Sequence, residues 1–168
     1  EVTPAKHIID GAPILIVLGA STGGPLALSR VLSDLPSDLP AAIVIIQHID
    51  GPFAENLARW LGDQCALPVK VAQEGETLQC GTVFIAGTDD HLVLDRELKL
   101  RYSVEPQNAP YRPSVDVFLH SLAEYWPHRG VAALLTGMGR DGATGLRALR
   151  NKGWHTIAEH KDTCVVFG

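Results

Sequence analysis

Cysteine is scarce in this chain: three residues in 168, at Cys65, Cys80 and Cys164. The number is odd and no pair has C-x-x-C spacing. This argues against a disulfide framework or a zinc site and suits a reduced compartment, so we expect a cytoplasmic protein. No apolar run approaches the roughly 18 residues that a membrane helix needs, so membrane insertion is not expected. The first twelve residues lack both a basic stretch and an apolar one, and do not read as a secretory signal. Lysine and arginine (14) are outnumbered by aspartate and glutamate (19), which leaves a net charge of −5. Without a basic run to follow a phosphate backbone, nucleic acid is not an expected partner. Methionine occurs once, at Met138, and the chain does not begin with it. We therefore expect a fragment of something longer.

What is present is an ordinary globular balance, 46% hydrophobic and 20% charged, which excludes wholesale disorder. A chain of this length buries roughly two-thirds of the surface its unfolded form exposes, enough for one domain without a metal or disulfide staple. Residues 1–13 are weakly patterned and read as the end of an interdomain linker; 14–168 read as the domain itself. Continuous apolar runs at Ile14–Leu18, Ala41–Ile46 and Val131–Leu135 suit strands buried on both faces. Between them lie helical patterns. One runs from Pro25 with Leu26, Leu28, Val31, Leu32 and Leu35; another spans Phe53–Leu61 with Phe53, Leu57, Trp60 and Leu61 on one face. Ser114 is a candidate N-cap for a helix reaching Trp126, and a fourth helix closes near Lys152 and Gly153. Val83–Ala86, Thr156–Ala158 and Cys164–Phe167 read as short strands, and His91–Leu94 with Leu98–Tyr102 as an antiparallel hairpin. The expected fold is α/β: a doubly wound, mostly parallel sheet with helices on both faces and one short hairpin.

In such a sheet, ligands bind beyond the carboxyl ends of the strands. Three buried runs end in Gly19-Ala-Ser-Thr-Gly-Gly24, Gln47-His48 and Thr136-Gly-Met-Gly-Arg-Asp-Gly142. A serine, a histidine and an aspartate thus reach one edge, the residue types of a nucleophile, a general base and its orienter. Each has a plainer reading. The serine turn fits G-x-S-x-G, but a glycine-rich turn opening a helix also suits a phosphate, although the lysine of a P-loop is missing. Asp141, among glycines, suits a turn that hydrogen-bonds its own backbone. His48 has rivals among the seven histidines, of which His91 and His160 fall nearest the sheet edge. The order Ser, His, Asp is not that of the α/β-hydrolases.

These segments, with Arg112-Pro-Ser-Val-Asp116, Leu135–Ala143 and Cys164-Val-Val-Phe-Gly168, resemble the catalytic domain of the chemotaxis-type protein-glutamate methylesterases, the CheB family. The resemblance covers almost the whole chain, from about Ile14 to Gly168. It implies an enzyme that hydrolyses γ-glutamyl methyl esters on the cytoplasmic helices of methyl-accepting chemoreceptors, releasing methanol, and that deamidates receptor glutamines. It also implies an N-terminal receiver domain in cis, controlled by its histidine kinase, and a chain continuing beyond Gly168. The implied nucleophile, base and acid fall on Ser21, His48 and Asp141. Three segments depart from the family's usual pattern: Ile49-Asp50 stand where Met-Pro is common, Gly87-Thr88-Asp89 where Pro-Gly-Asp is usual, and Ala158-Glu159-His160 where Ala-Gln often leads on to Asp or Asn.

For the developing oxyanion, the backbone N–H groups of Thr22 and Met138 are the candidate donors; losing one such donor costs about 2.7–4 kcal/mol of transition-state stabilisation. Arg112 and Arg140 are candidate substrate contacts from their place beside the motifs. The chemistry calls for no metal and no cofactor. Two other readings remain open at this stage: a phosphate- or nucleotide-binding module built on Gly19–Gly24, and a catalytically silent scaffold that docks on receptors.

Overall fold

The structure is a computed structural model that describes Ile8, Ile9 and residues 12–168. β1 (Ile8–Ile9) pairs antiparallel with the start of β2 (Ala12–Ala20). The expectation of a linker over 1–13 falls mostly outside the described residues; Ala12 and Pro13 already belong to β2. There follow α1 (Gly24–Ser33), β3 (Ala41–Gln47), α2 (Gly51–Gly62), β4 (Val69–Val71) and β5 (Val83–Ile85). The hairpin is β6 (His91–Leu94) and β7 (Leu100–Ser103), and the chain continues through α3 (Val115–Tyr125), β8 (Val131–Leu134), α4 (Ala143–Asn151) and β9 (His155–Ala158).

Six parallel strands lie in the order β4-β5-β3-β2-β8-β9. From β2 the chain adds β3 on one side, crosses to the edge strand β4 and fills the gap with β5, then returns to the other side of β2 with β8 and β9. The order therefore reverses between β2 and β8, the topological switch point at which a crevice opens beyond the strand ends. β3, in the middle, is buried at all seven positions, as its unbroken apolar run requires. Strand alternation divides its side chains between two cores. Ile43 and Ile45 pack with Leu28 and Leu32 of α1 and with Leu57 and Leu61 of α2. Val44 and Ile46 pack on the opposite side, with Phe118 and Leu122 of α3, Leu149 of α4 and the hairpin's Leu92 and Leu94. Helices thus cover both faces, as expected. Among the described residues, no helix is long and apolar enough to cross a membrane.

Several local expectations need correcting. α2 faces the sheet with Ala54, Leu57, Ala58 and Leu61, whereas Phe53 and Trp60 are largely exposed. The i, i+3, i+4 stripe through 54, 57, 58 and 61 is the one that faces the sheet, where α2 lies closest to β4. By the same rule, Leu28 and Leu32 of α1 are buried while Leu26 and Val31 face out. β4 carries too short an apolar signal, Val-Lys-Val, to be read without its partner β5. Cys164–Phe167 is not a strand: it forms one isolated bridge, Gly137 to Phe167, and no continuous ladder, and Val165 and Phe167 are each exposed by about two-thirds.

These burial assignments separate two phenylalanines. Phe84→Ala, in the fully buried β5, is expected to cost about 3–5 kcal/mol. Phe53→Ala is expected to stay within about 0.5 kcal/mol of the parent. Urea midpoints at matched m-values check this; comparable losses at the two sites would contradict the helix face assigned to α2.

Candidate active site

Ser21 is the residue after β2, and His48 the residue after β3. The two strands are parallel and in register, with Ala20 opposite Gln47, so the next step on each places Ser21 beside His48. The backbone fastens this junction: His48 N–H donates to Ala20 C=O (3.0 Å) and Ser21 N–H to Thr136 C=O, across to the loop after β8 (3.0 Å). Gln47, 3% exposed, reaches under the turn, and its side-chain amide donates to the carbonyls of Ser21 (2.9 Å) and His48 (3.2 Å).

Asp141 approaches from the loop between β8 and α4. Its Oδ2 accepts from His48 Nε2 at 2.7 Å, and both side chains are largely buried, 14% and 6% exposed. With the Nε2 proton committed to the carboxylate, Nδ1 carries the lone pair. Nδ1 is itself buried and has no hydrogen-bond partner among the described residues. No hydrogen bond joins it to Ser21 Oγ, yet both residues line the same cleft of about 200 Å³.

Three further donors hold Asp141, all from the start of α3. Val115 N–H donates to Oδ2 (2.7 Å), while the Ser114 hydroxyl (2.7 Å) and Asp116 N–H (3.0 Å) donate to Oδ1. Ser114 is the N-cap foreseen from the sequence, accepting from Val117 N–H, and through the same hydroxyl it binds Asp141. The carboxylate therefore sits at the positive end of α3 and satisfies backbone donors the helix leaves open. Burial alone pushes its pKa up; the hydrogen bonds from His48, Ser114 and the two backbone N–H groups outweigh this and hold it below the usual carboxylate value.

His91, a rival at the sequence level, is fully buried in the hairpin. Its Nδ1 accepts from Ser114 N–H (3.1 Å) and its Nε2 donates to Pro106 C=O (3.2 Å), so both ring nitrogens are used to seat the start of α3. His160, the other rival, is exposed beside Asp162 and is not among the cleft residues.

The loop after β8 forms the opposite wall. Thr136, 1% exposed, donates its hydroxyl to Thr22 C=O (2.9 Å), and the same oxygen accepts from the N–H groups of Val165 and Val166. Gly137 lies so close to Ser21 that a Cβ there would fall 2.7 Å from the serine Cβ, and its N–H donates to Val166 C=O (3.0 Å). Among the described residues, the N–H groups of Thr22 and Met138 donate to no protein acceptor; Met138 lines the cleft, and Thr22 is not among its lining residues. Arg140 is exposed and lines the cleft; Arg112 does not, and donates instead to Val104 C=O (3.2 Å). Cys164 is a competing nucleophile on the cleft wall, but burial, reinforced by the Glu159 carboxylate, pushes its thiol up and keeps it protonated.

Residues 16–168 match the family model described as CheB methylesterase. The chain belongs to that family. Among its CheB relatives, the protein-glutamate methylesterase/protein-glutamine glutaminase 2 of Burkholderia orbicola is 56% identical over 158 residues, covering 94% of this chain and 47% of the relative. The corresponding protein 1 of Bordetella avium is 48% identical over all 168 residues and 49% of its own length. The chain thus spans about half the length of the curated relatives it matches. The crystal structure of the Thermotoga maritima CheB methylesterase catalytic domain superposes with a TM-score of 0.84 at 40% identity, over 94% of this chain and 85% of that one.

Two of the segments that depart from the family's usual pattern hold residues with local roles. Asp89 Oδ1 accepts from Gly51 N–H (2.7 Å), so the residue after Thr88 caps α2 directly behind His48-Ile49-Asp50. Glu159 accepts from Thr136 N–H (2.7 Å) and stiffens the loop that faces Ser21. Reading residues in isolation missed Gln47, Thr136, Tyr111 and His91 as supports. Their signal is a polar or aromatic residue flanking a catalytic motif, which has meaning only once partners are known.

The depressed Asp141 pKa has a measurable consequence. Because its folded value lies below its unfolded value, the associated stabilisation is complete above the unfolded carboxylate range, about pH 4, and is lost as pH falls through the folded value. Asp141→Asn is expected to cost about 1.5–3 kcal/mol at pH 7, and the gap to the parent should close on acidification. Urea unfolding of both proteins across pH 7 to 3 checks this; a gap independent of pH would contradict it.

Proposed function

We propose that this chain is the catalytic part of a serine hydrolase that demethylates γ-glutamyl methyl esters on chemoreceptor cytoplasmic helices and deamidates receptor glutamines. The observation that carries the reading is His48, held on Asp141 through Nε2 and left with a free, buried Nδ1 in the cleft that Ser21 shares.

In this mechanism Nδ1 takes the Ser21 proton as Oγ attacks the ester carbonyl carbon. The carbonyl oxygen becomes an oxyanion facing the N–H groups of Thr22 and Met138. When the tetrahedral intermediate collapses, the C–O bond to the methoxy group breaks and the imidazolium returns its proton to the departing methanol. Water, deprotonated by the same nitrogen, then attacks the glutamyl-enzyme and frees Ser21. Asp141 keeps the ring in the Nε2–H tautomer and stabilises its cationic form. With a glutamine side chain the same steps release ammonia. A cleft of about 200 Å³ is below the usual range for whole small-molecule ligands, roughly 300–1,000 Å³, and fits one side chain presented by a helix. Arg140, exposed on its wall, is the candidate contact for the carbonyl-rich or acidic surface around that side chain.

The wider assignment follows the relatives. In it, the chain's first residues end a linker from an N-terminal receiver domain, phosphorylation of that domain by its histidine kinase relieves a block on the cleft, and the protein works in the cytoplasm.

Methanol release from a methyl-esterified receptor fragment tests the chemistry. Ser21→Ala and His48→Ala should each lower turnover by about 10⁴-fold or more, and Asp141→Asn by a comparable factor, since the wrong tautomer disables the base. Retained turnover in Ser21→Ala would reassign the nucleophile. Receptor binding without turnover by the parent, including its full-length phosphorylated form, would favour the silent scaffold.

A further inference from the structure

We propose that Tyr111 is a positioning residue for His48: it fixes the plane of the imidazole and stabilises the ring while it carries a second proton. The proposal rests on the reading of His48 as the general base. The two rings are stacked, their planes 1° apart and their centroids 4.4 Å apart. This contact supplies a constraint that Asp141 cannot. A single hydrogen bond at Nε2 pins one edge of the imidazole but leaves the ring free to pivot about that bond, and any pivot swings Nδ1 away from Ser21. A flat surface pressed against one face of the ring removes the pivot.

The stack also acts differentially along the reaction. The π-face of a phenol ring is electron-rich and attracts a cation lying over it. His48 is neutral before attack and cationic once it holds the serine proton, so the attraction grows towards the transition state, where stabilisation speeds the reaction. Tyr111 is itself held firmly. It sits between Pro110 and Arg112-Pro113, and the Arg112 guanidinium ties this loop to Val104 C=O. Its hydroxyl end rests on Gly139, where φ is +97° and a side chain would collide with the phenol. Tyr111 thereby touches both the base and the loop that bears the Met138 N–H. Arg112, suggested by its nearness to the motifs, acts in this reading on the loop and not on the substrate.

The test uses the full chain carrying Tyr111→Phe, Tyr111→Leu or Tyr111→Met beside His48→Ala, with a peptide bearing γ-methyl glutamate as substrate. Tyr111→Leu and Tyr111→Met should lower kcat by about five- to thirty-fold with KM within about twofold, while Tyr111→Phe, which keeps the face, stays near the parent. NMR of the His48 ring supplies a readout independent of turnover. Its carbon-bound protons should carry an upfield ring-current shift in the parent and in Tyr111→Phe, and lose it in Tyr111→Leu and Tyr111→Met. The ¹⁵N shifts should move from one tautomer towards an average of two in the same pair. Thermal melts identify any variant that has lost its fold, and two replacements of different shape guard against that loss.

Parent-like kcat or an unchanged His48 spectrum in folded Tyr111→Leu or Tyr111→Met overturns the proposal. So does Tyr111→Phe falling as far as Tyr111→Leu, which would place the role in the hydroxyl, and so does a rise in KM alone, which would make Tyr111 a substrate contact. If His48→Ala turns over like the parent, the reading of His48 fails first; if it is inactive and Tyr111→Leu is not impaired, the Tyr111 proposal fails alone.

Discussion

The Asp141 carboxylate is the interaction on which the rest of the site depends. It occupies the N-terminus of α3, accepts from Ser114 Oγ and the N–H groups of Val115 and Asp116, and spends the remaining capacity of Oδ2 on His48. One group thereby caps a helix and orients an imidazole. The pairing is reciprocal: Asp116, in the first turn of α3, accepts from Gly145 N–H of α4 at 2.6 Å, and α4 is the helix that Asp141 precedes. Each helix carries the carboxylate that satisfies the other's open donors. Two helix termini with unsatisfied N–H groups would repel one another; the exchanged carboxylates join them beside the cleft.

Around this centre the fold supplies stiffness in layers. The hairpin packs on α3, with Leu94 N–H donating to Ser121 Oγ (2.9 Å), and delivers His91 to Ser114 N–H. Thr136 ties the Ser21 turn to the segment 164–168 on the other wall. These contacts also bear on the alternative of a phosphate-binding turn at Gly19–Gly24. Ser21 N–H goes to Thr136 C=O and Gly24 N–H to Ser21 C=O, so part of the donor array a phosphate would need is already committed internally. Among the described residues, the turn leaves the N–H groups of Thr22 and Gly23 without a protein acceptor.

Much of the architecture was legible because it rests on period and punctuation. Unbroken apolar runs ending in glycine or polar residues marked β2, β3 and β8, and Ser114 marked the start of α3. Failures came where a pattern depends on a neighbour. Phe53 and Trp60 look like core residues by hydrophobicity, yet the face that meets the sheet is the one through Ala54, Leu57, Ala58 and Leu61. Cys164–Phe167 looks like a strand, yet its N–H groups go to a threonine hydroxyl.

The sequence by itself determined the element types, the parallel sheet and the three residue types gathered at its edge, because these follow from side-chain period, turn chemistry and the rule that ligands bind at strand ends. Only the tertiary structure decided which histidine faces the serine, which of its nitrogens is free, and that Tyr111 covers its face. Those facts turn on the register of β2 against β3 and on the meeting of two helix termini. Both are contacts between residues 25 or more positions apart in the chain, and local sequence carries no energy term for them.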